Sequence, residues 1–333
     1  MPIQRPFLTV DIAKRPDRGE DAPPLVLVGT GCQLLAVFDG LGGAGSQLLI
    51  DAEGVAESGA YRASRLASRE VKRFFCCNGE RTSLSATQDL AARLRERLNR
   101  AFDQELARFK RDTSPLKGSL IKRLPTTMAI VHLQHQAEQR HLCRVFWVGD
   151  SRAYLLTPHE GLQQLTIDDL REPGDAWENL FNDSPLSNVV SEKPGFTVNS
   201  SELVIDEPVV VLVATDGCFG YVGSPPQFEL LLLEALEVSS TMEEWQARLQ
   251  EGVSGITGDD ATLAAVLLGW NDDFLKCRAA FRNRCEVLMN EQMLITPDSD
   301  QDHLWGALDA RREWWERYKP TYEAYMPPRE PEQ

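Results

Sequence analysis

The stretch LLAVFDGLGG, residues 34–43, decides how this chain is read. Leu34 to Phe38 form an apolar run with no polar face, the pattern of a strand buried on both sides. Asp39 ends the run, and Gly40, Gly42 and Gly43 let the chain turn sharply. A carboxylate at the end of a buried strand is either a turn former or helix cap, or a group that does chemistry. Repetition separates the two readings. RVFWVGDSR puts Asp150 just past a second apolar strand, VVVLVATDG puts Asp216 just past a third, and GDDATLAAVLLGW puts Asp259 and Asp260 just before a fourth.

Carboxylates gathered at one rim of a sheet repel one another unless cations neutralise them. Oxygen-only ligands select hard divalent ions, Mg²⁺ or Mn²⁺. The five histidines include no HExxH-like pair, which argues against zinc. The residues alone therefore suggest a carboxylate-bridged Mg²⁺ or Mn²⁺ site.

Composition agrees. The 333 residues are 42% hydrophobic, enough for a full core, and carry 50 acidic against 35 basic residues, a formal charge of -15. No basic run tracks a phosphate backbone, so nucleic acid and anionic membrane are poor partners and cations good ones. The seven cysteines show no metal-site spacing and read as reduced thiols. With no signal-like or membrane-length apolar segment, a cytoplasmic protein is expected.

Strands are predicted at 24–28, 34–38, 126–134, 144–148, 153–156, 209–215 and 262–270, enough for two sheets. Helices are predicted between them. One opens on the capping box Ser85-x-x-Gln88, with Leu90, Leu94, Leu98 and Phe102 on one stripe. Another is expected to start after Ser46 and run through residues 52–75, and two more fall in PQFELLLLEALEVS and TMEEWQARLQEG. Paired helices between strand groups suit sheets covered by helices.

At this point the residues resemble a family. FDGLGG is similar to the FDGHGG or FDGMGG element of the metal-dependent type 2C (PPM) protein serine/threonine phosphatases. RGEDA, PTTMAIV, WVGDSRAYLL, VATDGCFGYV and DDATLAAVL follow in the family's order over residues 15 to 268. The resemblance implies an α+β fold: a four-layer α-β-β-α sandwich of two antiparallel sheets flanked by helices. It further implies that Asp39 bridges two metals and that the Gly40 carbonyl is a ligand of the second. Asp216 and Asp259 complete the first, with Asp260 the second choice because the family usually has Asn there. Glu20 and Asp21 reach the second metal directly or through water, and Asp150 shares a third, weaker ion with Asp216. Asp21, Asp39 and Asp216 form the catalytic set in this assignment. Two such ions acidify a water that attacks phosphorus in line.

The sequence departs from the pattern in places. Leu41 stands where many eukaryotic members have a His that protonates the leaving oxygen. Pro16 occupies the place of the phosphate-binding Arg, so Arg15 or Arg18 would substitute through a shifted loop, and Gly19 replaces the usual Asn.

Residues 168–200 fall where the family has a flap beside the site, and read equally as a surface loop with a short helix. Residues 271–333 lie beyond the last family element and form a helical C-terminal extension, in which Trp305, Trp314, Trp315, Tyr318, Tyr322 and Tyr325 are expected to dock on the domain formed by residues 1–270. The expected activity is hydrolysis of phosphoserine and phosphothreonine in a protein substrate, with a cognate Ser/Thr kinase as a further partner. The alternative is a pseudophosphatase that binds a phosphoprotein or kinase without hydrolysis, and phosphodiester cleavage is disfavoured by the acidic surface.

Overall fold

The structure, a computed structural model, describes residues 7–16, 18–50, 54, 56–77, 85–109, 122–137, 139–181, 184–271, 273–295 and 303–328. Its strands in chain order are β1 (Phe7–Ile12), β2 (Ala22–Gly29), β3 (Cys32–Phe38), β4 (Leu48–Ile50), β5 (Ala56–Ser58), β6 (Met128–Ala137), β7 (Arg140–Val148), β8 (Arg152–Thr157), β9 (Gly161–Gln164), β10 (Asn199–Ile205), β11 (Val209–Ala214) and β12 (Ala261–Leu268). The long helices are α1 (Gly59–Cys77), α2 (Thr87–Arg108), α3 (Pro225–Glu237), α4 (Met242–Ile256), α5 (Phe274–Ile295) and α6 (His303–Tyr322). Strands β1-β12-β11-β8-β9 form one antiparallel sheet and β10-β7-β6-β3-β2 the other.

Period-two alternation explains why β3 reads as apolar throughout. Leu35 and Val37 point between the sheets with Val131, Val145, Val211 and Val266. Leu34, Ala36 and Phe38 point the other way, against Ala63, Leu66, Leu90 and Leu94 of α1 and α2. The first sheet is covered on its outer face by α3, α4, α5 and α6. The four-layer α-β-β-α order expected from the sequence is thus present.

Two helix expectations need correction. The capping box at Ser85 does not form: α2 starts at Thr87, and Ala86 takes the cap position without a side-chain bond. The Thr87 hydroxyl is drawn to Glu202 on β10, and the Ser85 Oγ accepts from Arg93 at 3.4 Å, so tertiary partners displace the local cap. The helix expected after Ser46 starts only at Gly59, because the β4–β5 hairpin intervenes. Its first turn is held by the Ser58 Oγ, which accepts from the Tyr61 amide at 3.1 Å. The sequence reading also missed β1, β4, β5, β9 and β10. β10 is an edge strand whose NSSEL start lacks an apolar run.

The C-terminal helices share the core. Cys277, Phe281, Cys285 and Leu288 of α5 and Trp314, Trp315, Tyr318 and Tyr322 of α6 are buried in one cluster with Tyr154, Leu162 and Phe228. Polar bonds fix the contact: the Trp315 indole donates to Asp175 at 2.9 Å, Lys319 pairs with the same carboxylate at 3.0 Å, and the Tyr318 hydroxyl donates to Glu229. Trp315 is fully buried, so Trp315→Ala is expected to cost about 3–5 kcal/mol and lower Tm by roughly 5–15 °C in a thermal melt. Deleting residues 301–333 should lower it further and promote aggregation. An unchanged melting curve would show that α6 contributes nothing to the domain.

Candidate functional site

Antiparallel pairing carries the singled-out acids to one rim. Ala22 pairs with Phe38, so Asp21, at the start of β2, lies beside Asp39, at the end of β3. Val37 pairs with Ala129 and Met128 with Val148, which sets Asp39 and Gly149 on either side of Thr127. Ala214 pairs with Leu263, which brings Asp216 beside the start of β12 and the Asp259–Asp260 pair. The second-sheet ends are pinned by backbone bonds: the Asp39 carbonyl accepts from the Thr127 amide at 2.9 Å and from the Thr126 hydroxyl at 2.5 Å. Gly149 adopts φ +91°, and a Cβ there would lie 2.5 Å from the Thr127 side chain, so only glycine lets Asp150 turn inward.

Asp21, Asp39, Asp150 and Asp216 form a crowded acidic floor. Burial, then the charges of Asp21, Asp216 and Asp150, push the Asp39 carboxyl well above the usual carboxylate range. Burial raises Asp21 to about 7 against the bond it makes with Asp39. Burial and Asp259 raise Asp216 to about 6, and burial with Asp216 and Asp168 raises Asp150. The Asp21–Asp39 bond requires a shared proton between two carboxylates. Asp21 also accepts from Thr215 at 2.9 Å and Thr262 at 3.1 Å, whereas the buried Oδ1 of Asp150 has no hydrogen-bond partner.

The remaining acids differ. Asp260 does not face the floor freely: its two oxygens accept from the Lys14 and Glu20 amides at 2.7 and 2.5 Å and clamp the loop before β2. Asp259 is about half exposed, 3.8 Å from Lys14. Glu20 accepts from the Ser58 hydroxyl at 2.5 Å, and a Cβ on Gly42 would collide with its carboxylate at 1.8 Å, which accounts for one glycine of the opening motif. Its carbonyl accepts from Ser64 at 2.5 Å and Arg65 at 3.3 Å, so α1 holds the acidic loop in place.

These groups, except the buried Asp21, line a cleft of about 1360 Å³ whose walls also hold Arg15, Arg18, Gly40, Leu41, Lys14 and Lys122. Cations at the mouth over carboxylates at the floor suit an anion held above bound metal. Among the described residues no three His, Cys, Asp or Glu side chains already surround one point as metal ligands. The donor chemistry nevertheless fits hard cations: all donors are oxygens, Asp150 keeps a buried oxygen without a partner, and the floor holds protons only because its charges lack neutralisation. Lys14 and Lys122 escaped the sequence reading. Nothing near Lys122 marks it, because it faces the cleft only through the fold.

A further layer behind the floor was also missed. Arg152, buried just past Asp150, makes a bidentate pair with Asp168 at 2.9 and 2.6 Å and donates to Tyr322 of α6 at 3.5 Å. Asp169 accepts from the Gly149 amide at 2.9 Å and from Asn188 and Asn199. Both ends of the 168–200 segment are thereby tied to the strand end that carries Asp150. Its middle, with a short helix at Glu178–Phe181, supplies Ser184, Pro185, Leu186 and Val189 to the cleft wall.

The chain matches the Protein phosphatase 2C family over residues 18–256. Its fold is similar to that of a bacterial serine phosphatase (17% identity, TM-score 0.55, covering 80% of this chain and 98% of that one). It is also similar to the Mycobacterium tuberculosis serine/threonine phosphatase PstP/Ppp (18%, TM-score 0.53, 79% and 98%). The Staphylococcus aureus serine/threonine phosphatase Stp1 is a third such structure (18%, TM-score 0.53, 80% and 96%). No curated protein matches it in sequence.

The acidic floor makes stability depend on pH. With Asp216 raised to about 6 and Asp21 to about 7 from 3.8, the folded state binds more protons than the unfolded chain across that window. These groups therefore destabilise the metal-free fold as pH rises from about 4 to about 7. Asp39→Asn removes one charge from the cluster and is expected to raise Tm by roughly 2–6 °C over the parent at pH 8 in chelator, a gap that closes near pH 4. Parallel melting curves at all pH values would show that the floor carries no such repulsion.

Proposed function

The chain belongs to the protein phosphatase 2C family, and from that premise we propose that it hydrolyses phosphoserine and phosphothreonine in proteins with Mn²⁺ or Mg²⁺. The observation that carries this reading is the set of four aspartates at one rim, Asp21, Asp39, Asp150 and Asp216, whose carboxyls are raised first by burial and, in the first three, further by the charge of Asp216. In this reading Asp39, the Gly40 carbonyl, Asp216 and Asp259, with Glu20 and Asp21, hold two ions, and Asp150 with Asp216 holds a third. Bound there, the ions supply activation of water and offset of phosphoryl charge.

The chain's own residues do the rest. Asp21, Asp39 and Asp216 set the charge at which water is deprotonated, and Thr215 and Thr262 fix the Asp21 carboxylate in one orientation. Arg15 or Arg18, with Lys14 and Lys122 beside them on the wall, orient the phosphoryl group. Leu41 offers no proton, so the leaving serine oxygen takes one from water. Residues 1–270 act as the catalytic domain, residues 168–200 as its substrate-facing flap, and residues 271–333 as a helical extension packed on it. No helix among the described residues is long and apolar enough to cross a membrane.

The second reading, a pseudophosphatase that captures a phosphoprotein or partner kinase, draws on Asp21, whose oxygens are engaged by Asp39, Thr215 and Thr262. Calorimetric titration with Mn²⁺, paired with hydrolysis of a phosphothreonine peptide and p-nitrophenyl phosphate, separates the two. The expected outcome is Mn²⁺ binding and metal-dependent turnover, with Asp39→Asn and Asp216→Asn each lowering kcat at least about 100-fold, more than typical losses from groups that merely support ligands. Phosphopeptide binding without turnover would establish the second reading, and hydrolysis that survives exhaustive chelation would sink the mechanism.

A further inference from the structure

Charge is distributed unevenly over this molecule. Helices α1 and α2 hold ten Lys and Arg residues against five Asp and Glu, in a chain whose whole balance is 35 against 50. The two helices pack side by side over the second sheet, and a trench of about 550 Å³ runs between them. Arg69 and Arg73 of α1 and Arg93, Arg97, Arg100 and Arg108 of α2 line it, opposed by Glu70, Glu96 and Glu105. No run along the sequence shows this, because the two rows meet only when the helices pair.

Glu70 organises the trench. It is 6% exposed and accepts from Arg73 at 2.7 Å and from Arg97 at 2.9 Å, with Arg69 at 3.6 Å. Burial alone would raise its carboxyl, but the bonds from Arg73 and Arg97 hold it below its ordinary value, so it stays ionised. One buried anion therefore orients three guanidiniums. Each has five N–H donors, so further donors remain for a ligand. Arg100 pairs with the exposed Glu96 at 3.7 Å and Arg108 with the largely buried Glu105 at 2.9 Å, and the two arginine side chains are 74% and 68% exposed. Six guanidiniums against three carboxylates leave a surplus of positive charge in a concave site.

We propose that this trench is a docking site for a doubly phosphorylated peptide segment of a partner protein, its two phosphoryl groups three residues apart, whose charge of roughly -3 to -4 matches the surplus of guanidiniums. Spacing and shape support a peptide. Arg93 and Arg100 lie seven residues apart on one helix stripe, about 10 Å at the helical rise, which matches side chains three residues apart on one face of a polyproline II chain. Guanidinium forks bind phosphate and carboxylate in two-pronged fashion. A flat anionic bilayer would reach only the rims of a trench. Leu66, Phe74 and Ala101 give the trench an apolar floor against which the peptide's stem atoms pack. The site lies outside the acidic cleft, so the proposal stands whether or not the chain hydrolyses phosphate.

The test is fluorescence anisotropy with the full chain in chelator, which keeps the cleft from turning over the probe. The probe is a labelled ten-residue peptide with two phosphoserines three residues apart. It is expected to bind, and to weaken as salt rises from about 50 to about 300 mM. The double variant Arg93→Gln/Arg100→Gln leaves the bonds to Glu70 in place. It should bind at least about tenfold more weakly, with an unchanged melting curve. A peptide with glutamate at both positions is expected to bind much more weakly, because a carboxylate carries about half the charge of a phosphoryl group. Three results overturn the proposal: no binding by the phosphopeptide, with or without arginine-dependent binding of phosphatidylserine vesicles or a single-stranded oligonucleotide; equal binding by the double variant; or comparable binding by the glutamate peptide.

Discussion

Repulsion among carboxylates at one rim is the constraint around which this structure is arranged. Both faces of both sheets are covered, one by the opposite sheet and one by helices, so β3, β11 and β12 carry no charged side chain and the acids lie at their ends. Antiparallel order then forces the end of one strand beside the start of the next. Asp21, Asp39, Asp150 and Asp216 consequently crowd into one cleft, where burial adds to mutual repulsion and each carboxyl favours its protonated form. A floor of this kind destabilises the fold in water and becomes favourable only with cations, which is the usual relation between a functional site and the scaffold around it.

The stability that offsets this floor comes largely from behind it. Arg152 follows Asp150 by two residues and lies fully within the protein, yet it keeps its charge through the bidentate pair with Asp168. Tyr322 meets the same guanidinium, and its hydroxyl donates to Gln164 at 3.0 Å. The last helix thus touches the turn that aims Asp150. Through Trp315 and Lys319 it also holds Asp175, whose carboxylate accepts from the amides of Trp177 and Glu178 at the base of the flap. Removing one partner of a buried pair strands the other charge, so these contacts constrain geometry more firmly than their net contribution to stability would suggest.

Much of this was legible in the sequence, for a definite reason. Strands buried on both faces must be apolar throughout, so LLAVF, RVFWV and VVVLVA announce themselves, and the acids at their ends stand out by contrast. Where one face is exposed or the strand lies at an edge, that contrast vanishes, and β10 with NSSELVI escaped notice. A local cap forms where nothing distant competes: Thr241 accepts from the Glu244 amide at 3.2 Å, whereas the expected cap at Ser85 yields to Glu202 and Arg93. Asp259 and Asp260 were ambiguous as a pair. Their hydrogen bonding differs: Asp260 accepts from the Lys14 and Glu20 amides, and Asp259 from the Asp260 amide at 2.9 Å.

The same pairing logic explains how the chain continues past β12 without disturbing the rim. β12 ends at Leu268, and the helices that follow do not enter the rim; they cover the outer face of the first sheet, next to α3 and α4. They reach towards the acidic floor through Tyr322, which meets the Arg152–Asp168 pair. Docking of α6 at Tyr322 acts on the same short turn as would a cation held at Asp150, so each, if it orders that turn, would lower the cost of ordering it for the other. By thermodynamic linkage such a coupling is reciprocal: whatever α6 contributes to cation affinity, bound cation returns to the docking of α6.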